Sequence, residues 1–455
     1  MLAPINKIPP EILALIPDFL DTRDGDQDVI TLTHVCHAWR EVFVSRSSLW
    51  TNFDCLDEEK TRVYLERSKS SPINLSLNLL VGDDILPLDP FFQIIPHATR
   101  RLKSLFVQGV TEDVEVVISH LSHPAPLLEH LSIRSDFPLA HHDPILSSAL
   151  FNGDLSSLRV LRLESVHTEL PWKNMINLTS FTLSNTPEEI PVGQLLDFFE
   201  STPHLEVIEL YFAIPKAGTQ SGRVVSLECL KSMYIKDDDP PSVLLDHLLI
   251  PVGAKLEIQA KLLSSLIGEH LPRSLDNLKN FSNFTAIRLH HTDMEFSGPN
   301  GQVKITLWTS RGDLTELTLQ SLAELDTSKT ERFEIEDGDL LSKEPLYQAL
   351  LPMKDLRTLT LSKCISPGTL IHALQPTASS EVMVCPKLEE FILVPYHLHL
   401  GDRSDITSIT EIAAARASRG GKLKTVRIFS GPGTANLDVS ELRKHVWNVE
   451  YDYMN

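Results

Sequence analysis

Positive charge is the scarce component of this 455-residue chain: 41 lysines and arginines stand against 61 aspartates and glutamates, a net charge of -20. That balance repels phosphate backbones and anionic lipid headgroups, so neither nucleic acid nor a membrane surface is an expected partner. Cysteine is scarce too. The five residues Cys36, Cys55, Cys229, Cys364 and Cys385 are odd in number and widely spaced, which fits reduced, mostly buried thiols better than disulfides or zinc ligands. No stretch approaches the roughly 20 uninterrupted apolar residues of a membrane span. The opening Met1-Leu2-Ala3-Pro4-Ile5-Asn6-Lys7 lacks the basic start and apolar run of a secretory signal. A protein of the cytosol, with the nucleus open to it, is expected, and the sequons at Asn74, Asn177 and Asn283 then carry no meaning.

The signatures of chemistry are missing as well. There is no Gly-x-Ser-x-Gly elbow, phosphate loop or His-Glu-x-x-His helix. Asp237-Asp238-Asp239 before Pro240-Pro241 reads as a polar turn leaving a strand, without the ligand spacing of a calcium loop. The pairs His141-His142, His290-His291 and His397-x-His399 lack a third or fourth ligand. Cys229 beside Leu230 and Cys364 just after Leu361 occupy positions that suit small core residues. The chain is expected to be no enzyme, with no cofactor and no metal.

What the sequence has in abundance is one pattern, leucine-x-x-leucine-x-leucine, with Ile, Val, Met or Phe substituting. It runs through Leu102-x-x-Leu105-x-Val107, Leu128-x-x-Leu131-x-Ile133, Leu158-x-x-Leu161-x-Leu163, Leu178-x-x-Phe181-x-Leu183, Leu205-x-x-Ile208-x-Leu210 and Leu230-x-x-Met233-x-Ile235. It returns at Phe284-x-x-Ile287-x-Leu289, Leu314-x-x-Leu317-x-Leu319, Leu356-x-x-Leu359-x-Leu361, Leu388-x-x-Phe391-x-Leu393 and Leu423-x-x-Val426-x-Ile428, with degenerate copies at Leu75-x-Leu77 and Leu256-x-Ile258. The mean step is about 29 residues, near the upper end of the leucine-rich-repeat range of roughly 20–29. Helix-like segments lie between copies at 192–201, 261–271, 346–351 and 406–418. Strand followed by helix, many times over, predicts an α/β leucine-rich-repeat solenoid, a horseshoe with a parallel sheet on its concave face.

Side chains alternate along a strand, so the fourth and sixth pattern positions face the core and their neighbours face outward. The outward set includes Phe106, Arg134, Arg162, Glu164, Glu209, Tyr211, Tyr234, Lys236, Arg288, His290, Gln320, Arg427 and Phe429. Aromatics and arginines dominate interface energetics, so Phe106, Arg134, Arg162, Tyr211, Tyr234, Arg288, Arg427 and Phe429 are the candidates for gripping a target protein. Residues 324–344 hold eight acidic and three basic side chains, a density that predicts an exposed insertion loop. Residues 446–453 alternate like a strand and are expected to cap the final repeat.

The N-terminus breaks the pattern. Pro9-Pro10 before a run of helix formers marks a helix start, with Glu11 suited to the positive end of its dipole. Ile12, Leu15, Ile16 and Phe19 form an apolar stripe, and Pro17 is expected to kink or shorten this helix. An acidic turn over 21–26 leads to a second helical segment, 28–44, with Leu32, Val35, Cys36 and Trp39 on one side. Three short helices with so many apolar residues gain most by burying surface against a partner.

Ile8-Pro9-x-Glu11-Ile12-Leu13, then Val35-Cys36-x-x-Trp39-Arg40, then Ser48-Leu49-Trp50 resembles the F-box signature in order and spacing. The following Tyr64-Leu65-Glu66-Arg67-Ser68 and Ser71-Pro72 resemble the continuation in the F-box families of mushroom-forming fungi. The resemblance implies a Skp adaptor as partner, bound through Ile8, Pro9, Glu11, Ile12, Leu13, Ile16, Leu32, Val35, Cys36, Trp39, Leu49 and Trp50, and through it a cullin–RING ubiquitin ligase. The expected organisation is an F-box-like module over 1–55, a linker helix over 56–71, a solenoid over 72–445 and a cap over 446–455. Its expected role is that of a substrate-recognition subunit. A repeat scaffold that engages no ligase is the alternative, motivated by Pro17.

Overall fold

Strands form where the repeat leucines fall, and their register explains the pattern. The computed structural model of the chain describes residues 8–13, 15–16, 27–80, 88–136, 144–146, 149–168, 174–186, 190–215, 222–261, 267–290, 293–308, 314–323, 325–336, 343–364, 371–375, 383–395, 403–430 and 438–453. It divides into two units, Met1–Gly218 and Thr219–Asn455. Both are mixed α/β, each with a mostly parallel sheet. Pro17 and the acidic turn at 21–26 lie outside the described residues, as do His141-His142 and His397-x-His399.

The first unit opens with helices α1 (Pro10–Leu13), α2 (Gln27–Thr33) and α3 (His37–Ser45) and a 3-10 turn at Ser47–Trp50. Strand β1 (Asn52–Asp54), helix α4 (Glu58–Ser68), β2 (Ile73–Asn78), α5 (Asp89–Ala98), β3 (Leu102–Gly109) and α6 (Thr111–His120) follow. Then come β4 (His130–Ser135), β5 (Ile145–Leu146), β6 (Val160–Glu164), β7 (His167–Thr168), β8 (Ser180–Ser184), α7 (Val192–Ser201) and β9 (Val207–Tyr211). Strands β1, β2, β3, β4, β6, β8 and β9 pair in that order, all parallel, and the short β5 pairs with β7. One ladder aligns Phe53, Leu75, Leu105, Leu131, Leu161, Phe181 and Ile208. A second aligns Leu77, Val107, Ile133, Leu163, Leu183 and Leu210. All of these side chains are buried, each contributing about 1.5–3 kcal/mol. A repeat cannot bury its own edge; its neighbours do so.

The second unit contains β10 (Val225–Ser226), β11 (Ser232–Asp237), α8 (Ser242–Leu245), β12 (Leu248–Leu249), β13 (Lys255–Lys261), β14 (Ala286–His290), β15 (Asp293–Gly298) and β16 (Gly301–Trp308). Helix α9 (Leu314–Leu322), β17 (Arg332–Glu336), α10 (Lys343–Leu350), β18 (Thr358–Cys364) and β19 (Glu390–Pro395) follow. The helix Arg403–Ser418, β20 (Thr425–Ser430), a turn of helix at Leu442–His445 and β21 (Asn448–Tyr453) complete the chain. The main sheet runs β11, β13, β16, β15, β14, β17, β18, β19, β20, β21.

Four expectations need correction. The copy Leu314-x-x-Leu317-x-Leu319 is not a strand but helix α9. Its buried residues Thr318, Leu319, Ser321 and Leu322 recur at helical spacing, and Gln320 is therefore an exposed helix residue with no place on the sheet. The strand expected there is β17, inside the segment 324–344 that had read as an exposed loop. Its copy is Thr330-x-x-Phe333-x-Ile335, with all three side chains buried; threonine in place of the first leucine and the surrounding acids hid it. The described residues of segment 261–271 are not the expected helix: Lys261 ends β13 and Ile267–Glu269 is a 3-10 turn, while 262–266 lie outside the described residues. Segment 28–44 is two helices, because Cys36 is extended (φ -162°), and Arg40 Nε donates to the freed Thr33 carbonyl at 3.0 Å.

The sheet is also not wholly parallel. Strand β15 runs antiparallel to both β14 and β16, an inserted hairpin that keeps the core ladder intact through Phe296 and Met294. The turn Gly298-Pro299-Asn300-Gly301 closes it. A side chain on Gly298 would meet the Asn283 carbonyl at 2.8 Å, and Gly301 has φ +141°, so both positions require glycine.

Candidate functional site

Two surfaces carry the residues singled out in the sequence, one on the N-terminal helices and one on the strands. In the helical module, Leu13, Leu32, Trp39 and Phe43 make a buried core, and Ile8, Ile16, Cys36, Val42 and Leu49 pack against it. Trp39 meets Phe43 edge-on at 5.5 Å. Trp50 is fully buried and donates its Nε1 hydrogen to the Phe43 carbonyl at 2.9 Å. Helix α4 supplies the other side of that pocket: Tyr64 meets Trp50 edge-on at 5.0 Å, and the Arg67 guanidinium lies 4.2 Å from the Trp50 ring centre. Asp57 caps α4 by accepting from the Lys60 N–H at 2.7 Å. Tyr64 and Arg67 thus both pack on Trp50 from one face of α4.

The remaining residues of the set divide differently from the expected stripe. Ile12 is 53% exposed, Leu15 50% and Val35 45%, while Leu13 turns inward. Pro9 is exposed; Glu11 lies in α1, its side chain outside the described set. Three exposed aliphatic side chains on a small helical module are surface that water disfavours.

Residues 5–56 match the family model described as F-box-like. This segment is an F-box-like domain. No curated protein matches the chain.

In the first unit, successive strands place Phe106, Ser132, Arg162, Thr182 and Glu209 in one cross-strand row, and Gln108, Arg134, Glu164, Ser184 and Tyr211 in the next. A groove of about 460 Å³ is lined by the first row and by Arg134, Glu164, Ser184 and Tyr211 of the second. Arg134 Nε lies 2.7 Å from Asp136 and 3.6 Å from Glu164, and the Asp136 hydrogen bond raises the Arg134 pKa. The Thr182 hydroxyl donates to Glu209 at 3.0 Å. Arg162 is exposed and makes no hydrogen bond or ion pair with any described residue.

The second-unit candidates are tied down. Glu257, Lys304, Glu295, Arg288 and Glu334 form a row of alternating sign over five neighbouring strands. Arg288 Nη2 lies 3.1 Å from Glu336 and 3.5 Å from Glu334. Lys304 lies 3.0 Å from Asp293, whose hydrogen bond raises its pKa. Four strands beyond β14, Arg427 is held between Glu450 at 2.7 Å and Glu390 at 3.6 Å. Tyr234, Lys236, His290 and Phe429 are half-buried on their strands. The structure thus gathers Phe106, Arg134, Arg162 and Tyr211 into one groove and leaves Arg288 and Arg427 apart.

Burial pushes the Cys385 thiol up to about 12 and raises Cys55 further. Cys229, expected in the core, is instead exposed, because it follows β10 in the turn before β11. Asp237 accepts from the Asp239 N–H at 3.0 Å, the polar turn expected. Among the described residues no group of three His, Cys, Asp or Glu side chains could hold a metal ion, and no helix is long and apolar enough to cross a membrane.

Proposed function

We propose that this chain is the non-catalytic substrate-recognition subunit of a Skp–cullin–F-box ubiquitin ligase, working in the cytosol or nucleus. The observation that carries the reading is the F-box-like domain at residues 5–56, with Ile12, Leu15 and Val35 exposed around a core already closed by Leu13, Leu32, Trp39 and Phe43. That core holds the helices in shape while the exposed aliphatics dock the Skp adaptor. The strands after it are read as a leucine-rich-repeat solenoid of the kind joined to F-boxes in mushroom-forming fungi. Its outward rows bind the target protein, and the chain contributes proximity: it raises the target's effective concentration at the ubiquitin-loaded enzyme.

The test is affinity purification of the full chain from cells with the proteasome blocked, beside an Ile12→Asp/Val35→Asp variant. The reading predicts adaptor and cullin with the intact chain, loss of both from the variant, and target retained by each. A folded intact chain that recovers no adaptor overturns it.

A further inference from the structure

Four of the strand arginines, Arg134, Arg162, Arg288 and Arg427, hold the outward positions identified from the repeat pattern, and three of these have fixed carboxylate partners. Arg134 is held by Asp136 and Glu164, Arg288 by Glu336 and Glu334, and Arg427 by Glu450 and Glu390. Such pairs are already satisfied and would have to be broken to engage anything else. Arg162 alone of the four has no partner among the described residues. It stands in the middle of the groove, flanked across the strands by Ser132 and Thr182. The Ser132 hydroxyl is likewise without a partner among the described residues.

We infer that Arg162 is the anchor for a carboxylate side chain, Asp or Glu, in an extended segment of the target protein. The guanidinium fork matches a carboxylate bidentately, with the Ser132 hydroxyl beside it as an additional donor. The neighbouring charges decide between anions. Glu209 lies two strands away, roughly 10 Å at the usual strand spacing, about one Debye length at physiological salt. Glu164, two residues along β6, is paired with Arg134. A monoanion is tolerated in that setting. A phosphate dianion would meet twice the repulsion and, among the described residues lining the groove, no second free cation, because Arg134 is held by its own two acids. The inference rests on the reading of this face as the target-binding surface and specifies the chemistry it selects.

The test presents the purified full chain with three peptide libraries, random except for a central Glu, phosphoserine or Gln. Binding is measured for the wild type, Arg162→Gln and Arg288→Gln, each checked by its melting curve. The expected result is about tenfold tighter retention of Glu-centred over Gln-centred peptides, abolished by Arg162→Gln and kept by Arg288→Gln. Equal retention of Glu and Gln libraries, a preference for phosphoserine, or full binding by Arg162→Gln overturns the carboxylate anchor while leaving a peptide-binding face in place. Retention of no library by any form removes the face itself, and the anchor with it.

Discussion

The indole nitrogen of Trp50 donates to the Phe43 carbonyl at 2.9 Å, joining the end of the F-box-like domain to its third helix. Phe43 and Trp50 are both fully buried, so this bond lies where water cannot replace it. Trp50→Ala is expected to destabilise the protein by about 3–5 kcal/mol, through the cavity it leaves. Trp50→Phe should be milder, its main effect an unsatisfied carbonyl at about 1–3 kcal/mol. Denaturant unfolding followed by tryptophan fluorescence and circular dichroism measures both.

Exposed Ile12 and Val35 should behave in the opposite way. Aspartate at either position removes no core contact, so stability is expected to stay within about 0.5 kcal/mol of wild type. Adaptor binding should nevertheless fall. Melting curves and adaptor binding on the same preparations separate the two effects.

Strand β17 gives a direct check on the revised repeat. Phe333 is buried in the ladder between Ile287 and Leu359, and Phe333→Ala is expected to cost about 3–5 kcal/mol. The exposed neighbour Arg332→Ala should cost little. Equal, small effects in chemical denaturation would return the segment to a solvated loop.

Arg416 is fully buried at the end of the long helix and donates to the Val384 and Cys385 carbonyls at 2.8 and 2.7 Å. Burial lowers its pKa, yet it closes two carbonyls and sits at the negative end of the helix dipole. Arg416→Ala should cost about 1–3 kcal/mol from the orphaned Val384 carbonyl, since the Cys385 carbonyl keeps the Leu388 N–H at 3.0 Å. Arg416→Lys should recover part of that, since one ammonium replaces a two-pronged donor. Thermal unfolding of the two variants orders them.

His270 is buried with neither ring nitrogen hydrogen-bonded in the described residues, and burial lowers its pKa. The folded state therefore binds this proton less readily than the unfolded chain. Its contribution to stability is present above the ordinary histidine value of 6.5 and is lost as pH falls below it toward the folded value. His270→Leu should flatten that part of the stability–pH curve, measured by denaturant midpoints from pH 7.5 to 5.

The alternation Leu105-x-Val107 and its copies was readable because strand period and burial coincide in one short string. Thr330-x-x-Phe333-x-Ile335 is hidden by the acidic residues on both sides of it, although burial is decided residue by residue. The hairpin at Gly298-Pro299-Asn300-Gly301 carries a strong turn signal, but a parallel strand-and-helix repeat contains no reversed strand. Helix α9 shows the converse fault: Leu-x-x-Leu-x-Leu fits a strand and also supplies residues at helical spacing. The F-box-like segment was legible from order and spacing of short fragments. Which of its apolar residues face outward was not, since Ile12 and Leu13 differ only in the phase of a four-residue helix. Nor could the sequence separate Arg162 from Arg134, because a carboxylate two residues on pairs only where the chain turns it back, as at Asp136, and the second partner, Glu164, comes from a neighbouring strand.

The most direct test of adaptor docking is calorimetric titration of the purified full chain with the Skp adaptor, against Ile12→Asp/Leu15→Asp/Val35→Asp at matched folded fraction. Docking through the exposed aliphatics predicts saturable binding at micromolar or lower concentration for the wild type and none for the variant. A folded wild type that gives no heat and no complex on gel filtration, or a variant that binds as tightly, would contradict it.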